Sequence, residues 1–241
     1  MHVPLFPIRH TLPLILAVLR KTRQWLNRVT LAAMAGTTSY CPPTPLATPI
    51  AVISAGYCTP YPVDLAIIKK VITITDGNFA VSDVNGNILF KVKGALLSLR
   101  DRRVLLDAAS NPIVSMQQKM LSAHRRWEVY RGDSSDSKDL LFSVKKSSLI
   151  QFKTQLDVFL ASNRSEDNCD FKIKGSWLER SCVVYIGDSS AIIAQMHKKH
   201  TVQSIALGKD NFSVTVYPNV DHAFIVSLIV ILNEINEDRG D

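Results

Sequence analysis

The sequence of 241 residues lacks the short signatures that usually announce chemistry. It has no Gly-rich phosphate loop, no G-x-S-x-G elbow and no H-E-x-x-H helix. Its four cysteines, Cys41, Cys58, Cys169 and Cys182, form no C-x-x-C pair. That scatter argues against a disulfide scaffold or a zinc site and fits a reducing compartment. Acid is missing from the first quarter: residues 1–63 carry Arg9, Arg20, Lys21, Arg23 and Arg28 and no Asp or Glu. The remaining 23 basic and 21 acidic side chains nearly balance, so most of the net charge of +7 belongs to that stretch. A strongly basic nucleic-acid-binding domain is disfavoured.

Long hydrophobic runs are also scarce. Leu12 to Leu19 is apolar but far shorter than the roughly 20 residues that span a bilayer. Arg20, Lys21 and Arg23 follow it where a signal peptide would have a small polar cleavage region. Three readings of residues 1–33 stand side by side: a dispensable extension with Met34 as the working start, an organelle transit peptide, and a membrane anchor. Residues 34–62 include six prolines between Tyr40 and Pro62 and no charge, which reads as an extended linker. The domain is therefore expected over 63–236, with an acidic tail at 237–241.

What is present from Ile68 onward is a series of short β-type runs separated by turn residues about every ten positions. Asn85-Gly86-Asn87 between two such runs is a strong hairpin signal. The runs predict about twelve strands: Ile68–Thr75, Phe79–Asp83, Ile88–Lys93, Arg103–Asp107, Pro112–Gln118, Trp127–Arg131, Asp139–Lys146, Thr154–Leu160, Phe171–Lys174, Ser181–Ile186, Ala191–His197 and Phe212–Tyr217. Period-two alternation sets Ile88, Phe90 and Val92 on one face and Leu89, Lys91 and Lys93 on the other. An apolar face must be covered, by closure into a barrel or by a second sheet.

The C-terminal segment favours the barrel. Asp221 is a good N-cap for a helix from His222 to Ile235 that is apolar on every side and must be buried all round. Its near-continuous apolar part, Ala223–Leu232, covers only about 15 Å of helix, too short for a hydrocarbon core of roughly 30 Å. The expected fold is mainly β, a closed antiparallel barrel around a buried C-terminal helix.

Four stretches then resemble the LURP-one-related family of plant proteins. They are Phe79–Phe90 with Asp83, Gly86 and Asn87; Val104–Asp107 with Asn111 and Pro112; His124–Gly132 with Trp127 and Tyr130; and Val216–Asp221 leading into the terminal helix. Ser110 departs from the family pattern, standing where a turn glycine is usual, as does His222, where an aromatic is common. The resemblance implies a twelve-stranded barrel of the tubby-like kind, similar to the tubby C-terminal domain and the phospholipid scramblases. It also implies an association with plant defence.

Candidate chemistry is sparse. Asp76, Asp83, Asp107 and Asp188 stand beside turn residues and read as turn formers rather than Ca²⁺ ligands. His197 and His200 fall on opposite strand faces, and His124 and His222 have no acidic partner at a telling spacing. Trp127 reads as core, with Tyr130 on the opposite face. The remaining feature is basic: residues 91–131 hold nine Lys and Arg against three acids. Lys91, Lys93, Arg125 and Arg126 are the candidate contacts for a phosphorylated lipid headgroup, provided their strand and loop lie side by side. A solvated barrel surface is the plain alternative. No catalytic residue, metal or cofactor is expected. The expected partner is an anionic phospholipid or phosphoinositide, or alternatively another protein. A cytoplasmic, membrane-peripheral monomer is expected, with organelle targeting by residues 1–33 left open.

Overall fold

Two hairpin turns show how the local sequence starts the fold. In Asp83–Asn87 and again in Asp107–Asn111, the aspartate Oδ1 accepts the N–H of the asparagine four residues on, at 2.8 Å in both. The asparagine side chain returns a bond to the other carboxylate oxygen at 2.8 and 2.9 Å. Each turn needs one left-handed residue before the asparagine: Gly86 at φ 87° and Ser110 at φ 71°. Ser110 thus occupies a glycine-type position, and the surrounding Asp–Asn bonds hold it there.

The structure is a computed structural model that describes residues 46–69, 79–94, 102–119, 122, 125–148, 154–198 and 212–237. The chain divides into Met1–Pro42 and Pro43–Asp241, and every described residue lies in the second unit. Twelve strands form it: β1 (Val63–Lys69), β2 (Phe79–Ser82), β3 (Ile88–Gly94), β4 (Arg102–Asp107), β5 (Pro112–Gln118), β6 (Trp127–Arg131), β7 (Leu140–Lys146), β8 (Thr154–Leu160), β9 (Phe171–Gly175), β10 (Val183–Ile186), β11 (Ile192–Lys198) and β12 (Phe212–Val216). Each pairs antiparallel with its sequence neighbours, and β12 closes on β1 through Val63↔Val216 and Leu65↔Val214. The first strand begins at Val63, five residues before the sequence pattern suggested. Val63, Leu65 and Ile67 alternate with Asp64 and Ala66, so the period-two signal already runs there. The rest of the predicted strand, 70–75, lies outside the described residues, as do Asp76, His124 and His200.

Inward positions fill the lumen with Phe90 and Val92, Val114 and Met116, Trp127 and Val129, Phe142 and Val144, and Leu156 and Val158, all buried. Ile88 shares the parity of Phe90 and Val92 but is 42% exposed at the rim. Through the middle runs α1 (His222–Glu237). Its ten apolar residues from Ala223 to Ile235 are all at most 4% exposed. Their gross burial is on the order of 15–30 kcal/mol, an upper bound before entropy. Phe224 meets Phe142 edge-on and Phe171 at a tilt, each with centroids 5.0 Å apart. The single hydroxyl on this helix, Ser227, donates back to the Ala223 carbonyl at 2.9 Å.

The Pro-rich stretch behaves as a linker less far than its composition suggests. Residues 46–62 are seated across the end of the barrel where α1 begins. Ile50 bridges Val220, and Cys58 bridges Asp221. Ile53 is buried within the core. The Asp221 carboxylate joins three pieces: Oδ2 accepts the N–H groups of Ile53 at 2.7 Å and Ser54 at 3.0 Å, and Oδ1 accepts Phe224 N–H at 3.0 Å. His222 packs its ring against Tyr57 and Phe90, both centroids 5.5 Å away. It therefore supplies an aromatic ring to this part of the core.

Asp221→Ala would leave two buried N–H groups, those of Ile53 and Phe224, without an acceptor. The expected cost is about 2–4 kcal/mol in urea denaturation. A loss below about 1 kcal/mol would show that the strap does not depend on this carboxylate.

Candidate functional site

The candidate cations divide between two regions of the outer wall. On β3, Lys91 and Lys93 both face outward, opposite Leu106 and Val104 of β4. Lys93 is exposed and lines a groove of about 350 Å³ with Gly94, Arg102, Val104, Leu106 and Pro112. Lys91 turns towards the 108–111 turn, where its Nζ donates to Ala108 O at 3.0 Å and Ser110 Oγ at 3.1 Å. Ser110 also lines the groove.

Arg102 is the residue that sequence reasoning passed over. It stands at the start of β4 and lines the same groove. Its Nη2 bonds Asp133 Oδ1 at 2.6 Å, an exposed pair that orients the guanidinium more than it stabilises the fold. The available signal was parity: Arg102, Val104 and Leu106 share one face of a strand whose other face carries Leu105.

Arg125 and Arg126 lie elsewhere. They end the loop before β6, and the order β3–β4–β5–β6 puts two strands between that loop and the lysines. Three strand spacings separate them, roughly 14 Å along the sheet. The side-by-side arrangement on which a single four-residue site depended is therefore absent. Arg125 adopts φ 48° where the loop turns.

Arg126 enters a tight ionic cluster. Its Nη1 and Nη2 meet Glu166 Oε1 and Oε2 at 2.5 and 2.6 Å. Lys145 Nζ donates to the same carboxylate at 2.9 Å, and Arg126 Nη1 also reaches Ser143 Oγ at 3.0 Å. The fork from Arg126 first, and then Lys145, hold the Glu166 carboxyl down at about 2 against the opposing effect of burial. The same bond pushes Arg126 upward.

Beside this cluster lies a charged cleft of about 300 Å³ on β7, β8 and β9, lined among others by Lys145, Asp157, Glu166 and Lys172. Lys172 is bonded to Asp188, which raises its pKa, and lies 3.6 Å from Asp157. Cys169 lines the cleft too, but desolvation pushes its thiol up, as it pushes the buried Cys182 up to about 12. Neither thiol is poised as a nucleophile. Among the described residues, no group of three His, Cys, Asp or Glu could hold a metal. Asp83 and Asp107 use their carboxylates on their own turns, and the Asn87 and Asn111 side-chain bonds lower both pKa values. Among the described residues no helix is long and apolar enough to cross a membrane.

The model of the LURP-one-related family matches residues 63–233, the whole barrel and most of its central helix. The chain belongs to the LURP-one-related family. Protein LURP-one-related 15 of Arabidopsis thaliana is 62% identical over 199 residues, covering 82% of this chain and 91% of that protein. Protein LURP1 of the same plant is 52% identical over 189 residues, covering 78% and 91%. A crystal structure of an Arabidopsis thaliana protein, 53% identical, superposes with a TM-score of 0.62 over 77% of this chain and 98% of that one. These names state no enzymatic activity.

The Glu166 cluster makes a pH prediction. A carboxyl held at about 2 rather than its usual 4.5 contributes stability that is complete above about 4.5 and is lost as pH falls towards 2. Thermal melting of wild type against Glu166→Gln should therefore show a gap at pH 7 that narrows steadily across that window. A gap that stays constant down to pH 2 would mean that the carboxylate charge contributes nothing.

Proposed function

We propose that this LURP-one-related protein is a non-enzymatic module that binds anionic membrane surfaces through phosphorylated headgroups. Lys91, Lys93, Arg125 and Arg126 are the proposed contacts, with Arg102 joining the first pair. The observation that carries the reading is the groove on β3–β5. An exposed Lys93 and the Arg102 guanidinium line it, with Lys91 bonded to its rim at Ser110. Cations on a rigid strand face can donate charge-assisted hydrogen bonds to a phosphate without reordering the backbone. The two candidate regions would act as separate contacts on one surface rather than as a single pocket. Kinship with the tubby C-terminal domain and the phospholipid scramblases, and a part in plant defence, belong to this proposal. A barrel wound around a buried helix is the support for the first.

A second reading, a protein-interaction scaffold without lipid binding, is favoured by a different observation. Tyr61, Val84 and Ile88 are 61%, 76% and 42% exposed, and the strand register puts all three at the end of the barrel where α1 begins. Three of the four large apolar side chains exposed among the described residues gather at that end, the fourth being Leu178 between β9 and β10. Such a cluster suits a partner protein.

Liposome pelleting of the full chain, with and without phosphoinositides at about 0.15 M salt, separates the two readings. Selective pelleting by phosphoinositide vesicles, lost in Lys91→Ala/Lys93→Ala/Arg102→Ala, is the expected result. No pelleting on any anionic vesicle would sink the membrane reading and leave the scaffold.

A further inference from the structure

Segment 161–170 leaves β8 and folds back over the outer wall, where it delivers Glu166 onto two barrel cations. The receiving side is built on or beside strands. Ser143 and Lys145 are two apart on the outward face of β7, and Arg126 directly precedes β6. The delivering side is a loop with six exposed residues, among them Arg164 and Asp167. Glu166 itself sits at φ 55°, a left-handed conformation that a side chain disfavours. Its N–H is held by Asn163 Oδ1 at 3.1 Å, and Asn163 Nδ2 bonds Asn168 O and Asp170 Oδ2, both at 2.9 Å. The loop is thus shaped to present one carboxylate.

We propose that Arg126, Lys145 and Ser143 form a site for a phosphate monoester, and that Glu166 occupies it as an internal stand-in, making residues 161–170 an autoinhibitory flap. The arrangement of donors carries the inference. A guanidinium fork and an ammonium converge on one point, and the Ser143 hydroxyl that accepts from Arg126 Nη1 stands beside it, which suits an oxyanion with three oxygens. The chain supplies only two oxygens and a single negative charge there, against two cations. Three neighbouring carboxylates are engaged elsewhere. Glu128, which faces Arg126, is bonded by Lys119 at 3.1 Å and by the Tyr130 hydroxyl at 2.8 Å. Asp157 and Asp188 are matched by Lys172. A dianionic phosphate would compete with Glu166 for these donors, entering from the cleft of about 300 Å³ that Glu166, Lys145 and the exposed Asp167 line. Displacement of Glu166 would free the flap, while Lys145 keeps its other contact, the Phe159 ring 4.4 Å from its Nζ.

This deepens the reading of Arg126 as a headgroup contact and rests on that reading only for the source of the phosphate. The test uses the full chain as wild type, as Glu166→Gln and as Glu166→Gln/Arg126→Gln. Each is titrated calorimetrically with inorganic phosphate and, separately, pelleted with vesicles containing phosphatidylinositol 4-phosphate. Glu166→Gln should bind inorganic phosphate at least about tenfold more tightly than wild type, and the double variant should lose that gain. Limited trypsin digestion of wild type needs no substitution, and cleavage after Arg164 should accelerate as phosphate is added. Tighter phosphate binding without vesicle binding would keep the flap and point to a soluble phosphate monoester, while removing the membrane reading at Arg126. Vesicle binding through the β3–β5 groove that is indifferent to Glu166→Gln, with an unchanged cleavage rate, would overturn the flap and leave the membrane module standing.

Discussion

The structure depends on the buried carboxylate of Asp221. A helix that is apolar on all sides cannot exist in water, and a twelve-stranded barrel cannot close around nothing. Each therefore requires the other, and the entry point of the helix must be fixed against slippage. Asp221 fixes it by capping the first turn at Phe224 N–H while holding the backbone of Ile53 and Ser54. One side chain thereby sets where the helix begins and where the barrel end is sealed. At the opposite end Arg103 meets Glu234 at 2.6 Å, a cation placed against an acid that the helix C-terminus would otherwise disfavour.

The described inward positions and α1 fill the lumen with side chains, and the two grooves described above lie on the outer wall. The outer wall is not uniform. Residues 132–139 lie against β5 and β6, where the Ser115 hydroxyl donates to Ser134 O and Tyr130 is 6% exposed despite facing outward. Segment 161–170 covers part of β7 and β8 in the same manner. Between these covered stretches and β2, the face of β3 to β5 carries the open groove. A barrel whose strands look alike in sequence thus acquires an open basic face and a closed ionic one, and the loops decide which is which.

Membership of the LURP-one-related family covers the whole barrel, residues 63–233 being matched. It does not by itself assign a ligand, because a shared fold does not transfer a site. Two residues of this chain are informative in that light. Ser110 retains the left-handed turn without glycine and offers its hydroxyl to Lys91. His222 fills an aromatic position between Tyr57 and Phe90, and its burial there lowers its pKa. Both residues fit the fold, and the first places a polar atom at the rim of the groove.

The sequence by itself determined the elements whose causes are local. Period-two alternation in Ile88–Lys93 and Phe212–Tyr217, the Asn-Gly turn at 85–86, and an all-apolar run behind Asp221 each dictate a conformation within a few residues. Their mutual burial then leaves a barrel with a central helix as the solution. The outward parity of Lys91 and Lys93 was legible in the same way, because it follows from the pleat. What only the tertiary structure decided are the relations between residues far apart in sequence. Arg126 was legible as a basic residue, but its partner Glu166 stands 40 positions away in a loop whose path no periodicity encodes. The seating of 46–62 rests on Asp221, about 168 positions distant. The separation of Arg125 and Arg126 from Lys91 and Lys93 follows from strand order. Hydrophobic patterning specifies which face a side chain takes, but it carries no information about which loop carboxylate will reach it. That is set by the geometry of closure.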